Sequence, residues 1–132
     1  MREINRRVIE QFRAGGPIEG MHREGILLLT TTGRRTGREH TTPMMFVPDG
    51  DHLCVIASNA GAPADPDWYL NLVQEPRVVV EVGDERYEAV ARPATGETYD
   101  RLWSRIKDGY PFFVEHEAKA GRTIPVVVLT KA

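Results

Sequence analysis

The stretch ILLLTTTGRRTGREHTTPMMF, from Ile26 to Phe46, consists of two strand-like runs on either side of a basic loop bounded by glycines. Ile26 to Thr32 is a continuous apolar and β-branched run, and a second run lies near His40 to Val47, so the two are predicted to pair as a hairpin. Gly33 and Gly37 carry no Cβ, which lets backbone N–H groups approach a ligand. The loop is therefore predicted to be a binding element as well as a turn.

The arginines of this loop indicate what it would bind. Arg34, Arg35 and Arg38 carry planar, permanently charged guanidinium groups that suit phosphate or carboxylate. The competing interpretation is a basic hairpin turn in water, because short basic motifs are common. The loop alone leaves both interpretations open.

The rest of the chain continues an antiparallel pattern. Further strands are predicted at His52 to Ala57, Val78 to Val82, Glu85 to Arg92 and Thr123 to Thr130. Pro125 indicates that the last strand is at an edge or contains a bulge. Val47 to Asp51 is predicted to be a turn, and helices are predicted at residues 3–14, Asp67 to Val73 and Thr95 to Tyr110. The predicted fold is α+β and mainly β: about six antiparallel strands curl into a barrel, with three or four flanking helices.

Composition excludes several classes of protein. The 132 residues, 41% of them hydrophobic, fit one domain, and a formal net charge of -2 argues against a nucleic-acid binder. No apolar run approaches a membrane span and no secretory signal is present, so a cytoplasmic location is expected. Cys54 is the single cysteine, which excludes an intramolecular disulfide, and it is predicted to be an inert core thiol. The amino-terminal helix is amphipathic and basic, which predicts a lid or, alternatively, a helix resting on an anionic membrane surface.

Familiar catalytic and metal-binding patterns are missing from the sequence. It contains no His-x-His or Cys-x-x-Cys spacing and no Gly-x-Ser-x-Gly nucleophile turn. The histidines are scattered, so no metal site is predicted: they are His22, His40, His52 and His116. Glu115 and Glu117 are predicted to lie on a solvated helix face instead of forming a catalytic pair.

Four motifs in a fixed order carry a resemblance to a known family. They are the arginine loop, Ala57 to Pro63, Pro66 to Leu72, and Arg122 to Val127. Together they resemble the deazaflavin-dependent nitroreductase family, the split-barrel reductases that use coenzyme F420. The resemblance implies one domain over residues 1–132, with an amino-terminal helix at 1–15 and a split β-barrel at 20–132. It also implies that a deazaflavin lies in a groove and that its anionic phospholactyl-polyglutamate tail crosses the arginine loop.

The resemblance also implies roles for individual residues. Arg34, Arg35, Thr36 and Gly37 match the family's loop that holds phosphate and tail, with arginine at Arg35 in place of the usual lysine. Positions matching those that line the groove or contact the deazaflavin ring are Pro43, Met44, Ala57, Ser58, Trp68 and Tyr69. Asn59 is a further candidate cofactor-binding residue, although it departs from the expected lysine or glycine, which removes one positive contact to the tail.

On the acceptor side, the implied pocket wall contains Tyr110, Phe113 and His116. Phe113 and His116 stand where nitro-reducing members have tyrosines, so weak nitroimidazole reduction and feasible quinone reduction are expected. The implied reaction is hydride transfer from reduced F420 to a quinone, nitroaromatic or activated enone. The candidate catalytic hydrogen-bond donors for this reaction are Ser58, Tyr110 and His116.

Two other functions remain open at this point. A flavin mononucleotide reductase or oxidase would also use a phosphate-binding arginine loop, and a non-catalytic deazaflavin carrier or sensor would fit Asn59 and the altered aromatic wall. The family's shorter members suggest a monomer.

Overall fold

The computed structural model describes residues 2–16, 18 and 23–132, and for residues 2–4 it describes the backbone alone. This part of the chain contains seven strands and four α-helices. The strands are β1 (Ile26–Thr32), β2 (Glu39–Met45), β3 (Val47–Asp49), β4 (His52–Ile56), β5 (Arg77–Val82), β6 (Glu85–Pro93) and β7 (Val126–Lys131). The helices are α1 (Arg2–Arg13), α2 (Asp67–Gln74), α3 (Gly96–Gly109) and α4 (Phe112–Ala120).

All strands belong to one antiparallel sheet in the order β2-β1-β5-β6-β7-β4-β3. Strand β2 stands at one end of this order, yet it also contacts β4 near the other end. The sheet therefore curls round into a half-barrel, and the predicted mainly-β α+β class is confirmed.

The barrel interior is apolar. Leu27, Leu29, Val55, Val80 and Val127 have no exposed surface and pack into one cluster, to which α2 adds a buried leucine. A second cluster joins α3 and α4 to the other face of β4 and β7. Apolar residues on both faces explain why β1 is a continuous hydrophobic run, since it has helices or sheet on each side.

Helix α1 is attached to the outside of the barrel. Val8 and Phe12 are buried against β1. At the end of the helix, Arg13 donates from Nε and Nη2 to the two carboxylate oxygens of Glu81, at 3.0 and 2.8 Å. The guanidinium of Arg23 lies 4.4 Å from the centre of the Phe12 ring and donates to the Phe12 carbonyl at 2.7 Å. The helix is thus held by both apolar and charged contacts.

Two strand predictions were wrong in detail. Val47–Asp49 forms the short strand β3, so the turn contains only Gly50 and Asp51. Strand β7 lies between β6 and β4, so it is not an edge strand. Pro125 precedes the strand, where its missing N–H costs no ladder hydrogen bond, and its carbonyl accepts from the N–H of Ala57 at 3.0 Å.

Cys54 lies in the second apolar cluster with no exposed surface, and burial raises the pKa of its thiol to about 11. Within the described ranges, no helix is long and apolar enough to cross a membrane, and no three His, Cys, Asp or Glu residues are grouped as metal ligands. His22 lies outside those ranges.

Candidate functional site

The arginine loop joins β1 to β2 and is closed by its own backbone. The N–H of Gly33 donates to the Arg38 carbonyl at 2.7 Å, and the N–H of Gly37 donates to the Gly33 carbonyl at 2.9 Å. Gly37 has a φ of +73°, which glycine adopts without strain. A Cβ at Gly33 would lie 2.8 Å from Nε2 of the exposed His40 side chain and 3.1 Å from the Arg38 carbonyl oxygen, so a larger residue would require this side chain and the loop to shift.

Helix α2 fixes one arginine of this loop. Nη1 of Arg34 donates to Oδ1 of Asn71 at 2.8 Å, and the Arg34 backbone N–H reaches the same oxygen at 3.2 Å. Nη2 of Arg34 donates to Asp67 at 3.3 Å. Asn71 is buried, and its amide nitrogen reaches the hydroxyl of Thr31 at 3.4 Å. Arg34 therefore anchors the loop to α2 and to the end of β1.

Unlike the side chain of Arg34, those of the other two arginines of the loop are not held by polar contacts with the rest of the described residues. Arg35 and Arg38 are exposed and make no ion pair or side-chain hydrogen bond with another described residue. A cavity of about 690 Å³ lies beside Arg35, between the loop, α1 and α2. Its lining residues include three arginines, Arg6, Arg34 and Arg35, and two acidic residues, Glu39 and Asp67, so the lining carries an excess positive charge. Such a cavity suits an anionic ligand.

The loop after β4, residues 57–65, is the second element of the site. Asn59 and Ala60 have φ values of +50° and +54°, a conformation that costs free energy for residues with a Cβ. Ser58 is buried, and the Asn59 amide nitrogen donates to the Ala64 carbonyl at 3.1 Å. Arg122, just before β7, donates to Oδ1 of Asp65 at 2.7 Å and to several carbonyls of this loop. No site prediction included Arg122, although its motif contributed to the family resemblance.

The aromatic wall lies around the start of α4. Phe113 is 3% exposed, and its ring centre is 6.0 Å from that of Trp103 and 5.7 Å from that of His116. Tyr110 is half-buried and stands edge-on to Phe113. Nδ1 of His116 is buried and has no hydrogen-bond partner within the described part of the chain. Glu117 was predicted to be solvated, but it accepts a hydrogen bond from Nε1 of Trp103, which corrects that prediction.

The structure brings only some of the predicted site residues together. Arg34, Arg35, Thr36 and Trp68 line the 690 Å³ cavity. Met44 is paired with Leu27 and faces the barrel interior, whereas Pro43 is paired with Leu28. The residues 57–59 and the aromatic wall do not line this cavity.

Tyr69 lies beside Trp68, with ring centres 6.4 Å apart in an edge-on arrangement. Burial raises the pKa of the Tyr69 hydroxyl above its ordinary value, and the charge of Asp65 raises it further. Both rings pack partly against the barrel core, so they are packing residues as well as candidate cofactor contacts.

Comparison with known proteins identifies the class. Residues 2–131 match the sequence profile described as F420H(2)-dependent quinone reductase. An F420H(2)-dependent quinone reductase of Mycobacterium tuberculosis is 37% identical over 108 residues, which is 80% of this chain and 72% of that protein. The chain belongs to the F420H(2)-dependent quinone reductase family. The predicted F420-using reductase family, its enzymatic character and its cofactor are thereby confirmed.

Solved structures agree with this assignment. An F420-H2 dependent reductase, FDR-A, superposes with a TM-score of 0.73 at 34% identity, covering 83% of this chain and 99% of its own. A structure described as a domain-swapped dimer gives a TM-score of 0.75 at 32% identity, covering 94% of this chain and 95% of its own.

Proposed function

We propose that this protein transfers a hydride from reduced coenzyme F420 to a quinone. The observation that carries the proposal is the positive cavity at the arginine loop, in a chain that belongs to the F420H(2)-dependent quinone reductase family. Bound F420 would supply the hydride, so the protein would need neither a nucleophile nor a metal ligand set for this reaction. The protein then has to hold the cofactor, place the acceptor and stabilise charge.

The anionic tail would bind at the arginine loop. The residues fit a phosphate or carboxylate because Arg35 and Arg38 have no carboxylate partner among the described residues and Arg35 borders the cavity. The hydroxyl of Thr36 already accepts the N–H of Arg38 at 3.2 Å, so it orders the loop while its own O–H stays available to the phosphate. Gly37 has no Cβ, so the loop backbone could approach the phosphate closely. Arg34 would hold the loop on α2 and present its remaining N–H groups to the ligand.

The deazaflavin ring of F420 would lie towards residues 57–59. Its further contacts would be Pro43 and Met44 on β2, and Trp68 and Tyr69 on α2. This assignment is supported by the family resemblance and by the contact between β2, which carries Pro43 and Met44, and β4, which residues 57–59 follow. Ser58 would donate its hydroxyl towards the ring or the acceptor.

The acceptor would contact Tyr110 and His116. The unpartnered Nδ1 of His116 supports this role, because a buried polar atom without a partner is costly unless a ligand satisfies it. Phe113 would support this wall from behind, since it is almost fully buried. Nitroaromatics and activated enones would be secondary acceptors, with nitroimidazoles poor ones because Phe113 offers no hydroxyl.

Helix α1 would act as a lid over the tail. Arg6 and Ile9 line the cavity, while Val8 and Phe12 are buried in the barrel surface. A helix that uses its apolar face on the protein has little apolar surface left for a bilayer, so the lid is favoured over a membrane anchor. Removal of residues 1–15 should therefore weaken F420 binding and leave vesicle binding unchanged.

A monomer in the cytoplasm completes the proposal. The family's shorter members suggest the monomer, and the buried free thiol of Cys54 fits a reducing compartment. Light scattering after gel filtration would test the monomer, and a domain-swapped dimer would contradict it.

The test is tryptophan fluorescence quenching on titration with F420 beside flavin mononucleotide. Saturable quenching by F420, weaker in Arg35→Ala/Arg38→Ala, is expected, and Trp68→Phe should remove most of the signal. The same protein should then oxidise F420H(2) only when a quinone is added. Preference for flavin mononucleotide, or F420 binding without quinone reduction, would overturn the proposal in favour of a flavin enzyme or a carrier.

A further inference from the structure

We propose that Arg122 is the positioning residue of the loop formed by residues 57–65, which we call the ring loop. Its guanidinium would set the direction of the backbone N–H groups that meet the deazaflavin ring. This inference rests on the proposed function, since that function places the ring at Ala57 to Asn59.

All three nitrogens of the Arg122 guanidinium donate to the ring loop. Nη2 donates to the carbonyls of Ala57 and Ser58, both at 3.2 Å, and to the carbonyl of Ala64 at 3.1 Å. Nε donates to the carbonyl of Ala62 at 3.2 Å, and Nη1 donates to the carboxylate of Asp65 at 2.7 Å. The Arg122 side chain is only 16% exposed. One side chain from the segment between α4 and β7 thus connects both ends of the loop.

These hydrogen bonds determine where two backbone donors point. In a planar trans peptide the C=O and the following N–H point in opposite directions, and the described residues contain no cis peptide. Because the carbonyls of Ala57 and Ser58 point at Arg122, the N–H groups of Ser58 and Asn59 point away from it. Neither N–H donates to a backbone carbonyl within the described part of the chain. No hydrogen bond among the described residues uses these two N–H groups, so they can donate to a ligand. The pyrimidinedione portion of a deazaflavin presents carbonyl oxygens as acceptors.

The loop would not keep this shape through its own preferences. Asn59 and Ala60 are both in the left-handed region without being glycine, so the surrounding structure must impose the conformation. On the side of α4, Gly61 has a φ of +82°, and a Cβ there would lie 3.0 Å from Cδ of Lys119 and 3.3 Å from the His116 carbonyl. Helix α4 therefore supports one side of the loop and Arg122 holds the other.

The variant that tests this role is Arg122→Lys. Lysine keeps a positive charge for Asp65 but cannot donate to four carbonyls from a planar fork. We expect affinity for F420 and for the same deazaflavin without phosphate and tail to fall by the same factor, about tenfold. The matched control is Arg101→Lys, which disrupts the two hydrogen bonds from Arg101 to the Asp49 carboxylate on the exposed surface. The control should bind both ligands as the wild type does.

Hydrogen exchange gives a readout that needs no ligand. The N–H of Gly61 donates to the Ser58 carbonyl at 2.9 Å and that of Ala62 donates to the Asn59 carbonyl at 3.0 Å. Both amides should exchange about tenfold faster in Arg122→Lys, while amides of β1 and β5 keep their wild-type rates.

The outcomes separate the alternatives. Equal losses for the two ligands, together with faster exchange in the ring loop, would support the positioning role. A loss of affinity confined to full F420 would mean that Arg122 contributes to binding of the tail. Unchanged affinity with unchanged exchange would mean that the loop keeps its conformation without Arg122. Either result would overturn the inference. If the wild type bound neither compound, the proposed function would fail, and the exchange rates alone would decide whether Arg122 orders the loop.

Discussion

Adjacent arginines in the loop between β1 and β2 should respond in opposite ways to replacement by alanine. Arg34 is bound to α2 through Asn71 and Asp67, whereas Arg35 has no partner among the described residues. Arg34→Ala should therefore reduce the stability of the fold. Arg35→Ala should leave stability unchanged and weaken binding of the anionic cofactor.

The difference can be estimated from the contacts. The hydrogen bond from Arg34 to the buried oxygen of Asn71, at 2.8 Å, is charge-assisted and should contribute about 2 kcal/mol. The pair with Asp67 adds little, because that carboxylate is 88% exposed and screened by water. For a chain of 132 residues, a loss of about 2 kcal/mol lowers the melting temperature by about 7 °C. Arg35→Ala should stay within about 0.5 kcal/mol of the wild type.

Urea unfolding followed by circular dichroism measures both variants, and equal m-values would confirm that only stability changed. Affinity for F420 is measured on the same samples at low and high salt. We expect about a tenfold weaker affinity for Arg35→Ala, with a shallower salt dependence than the wild type. Equal destabilisation by the two substitutions, or full affinity without Arg35, would refute the assignment of one arginine to the fold and the other to the ligand.

Three further outcomes follow from local packing and charge. Gly33→Ala should cost about 1 kcal/mol in urea unfolding, because its Cβ would approach the His40 ring and the Arg38 carbonyl oxygen. His40→Ala should recover part of that loss, and no recovery would contradict the contact with His40. Cys54 should not react with a thiol reagent at pH 8 until the protein unfolds, because the thiol is buried and burial raises its pKa to about 11. Rapid reaction of the native protein would show that the thiol is accessible. Hydrogen bonds from Arg101, and then its charge, hold the pKa of Asp49 below its ordinary value of 3.8. The stability advantage of the wild type over Asp49→Asn should therefore be complete above pH 3.8 and disappear as the pH falls through the lower pKa of the folded protein. An advantage that persists at pH 2 would contradict the pairing.

The sequence predicted the parts of the fold that have strong local signals. The run from Ile26 to Thr32 coincides with β1, because an apolar β-branched segment bounded by glycine has few alternatives to a buried strand. The helix that was expected from Thr95 to Tyr110 is α3 with one residue less at each end, since its apolar spacing faces one cluster. The family was also readable, because its motifs are contiguous in sequence.

Other features depend on contacts between distant residues and had no local signal. Strand β3 contains a proline and borders a turn, and only its pairing with β4 defines it as a strand. The place of β7 inside the sheet follows from its pairing with β6 and β4 on its two sides. Arg122 meets acceptors 57 to 65 positions earlier in the chain, so its motif was visible but its partners were not.

The distribution of arginine partners joins the fold to the proposed chemistry. Arg13, Arg34 and Arg122 each donate to a side-chain oxygen on another element, and they fix α1, the arginine loop and the ring loop respectively. Arg35 and Arg38 lie on a loop that Arg34 already fixes to α2. Their guanidinium groups are therefore not needed to stabilise the fold and stay available to a ligand. A chain of net charge -2 can thus present a strong local cation without a basic surface. If this division is correct, ligand affinity should depend on the salt concentration through Arg35 and Arg38. Stability should depend on it less, because the hydrogen bond from Arg34 to the buried Asn71 and the largely buried contact between Arg122 and Asp65 are less screened.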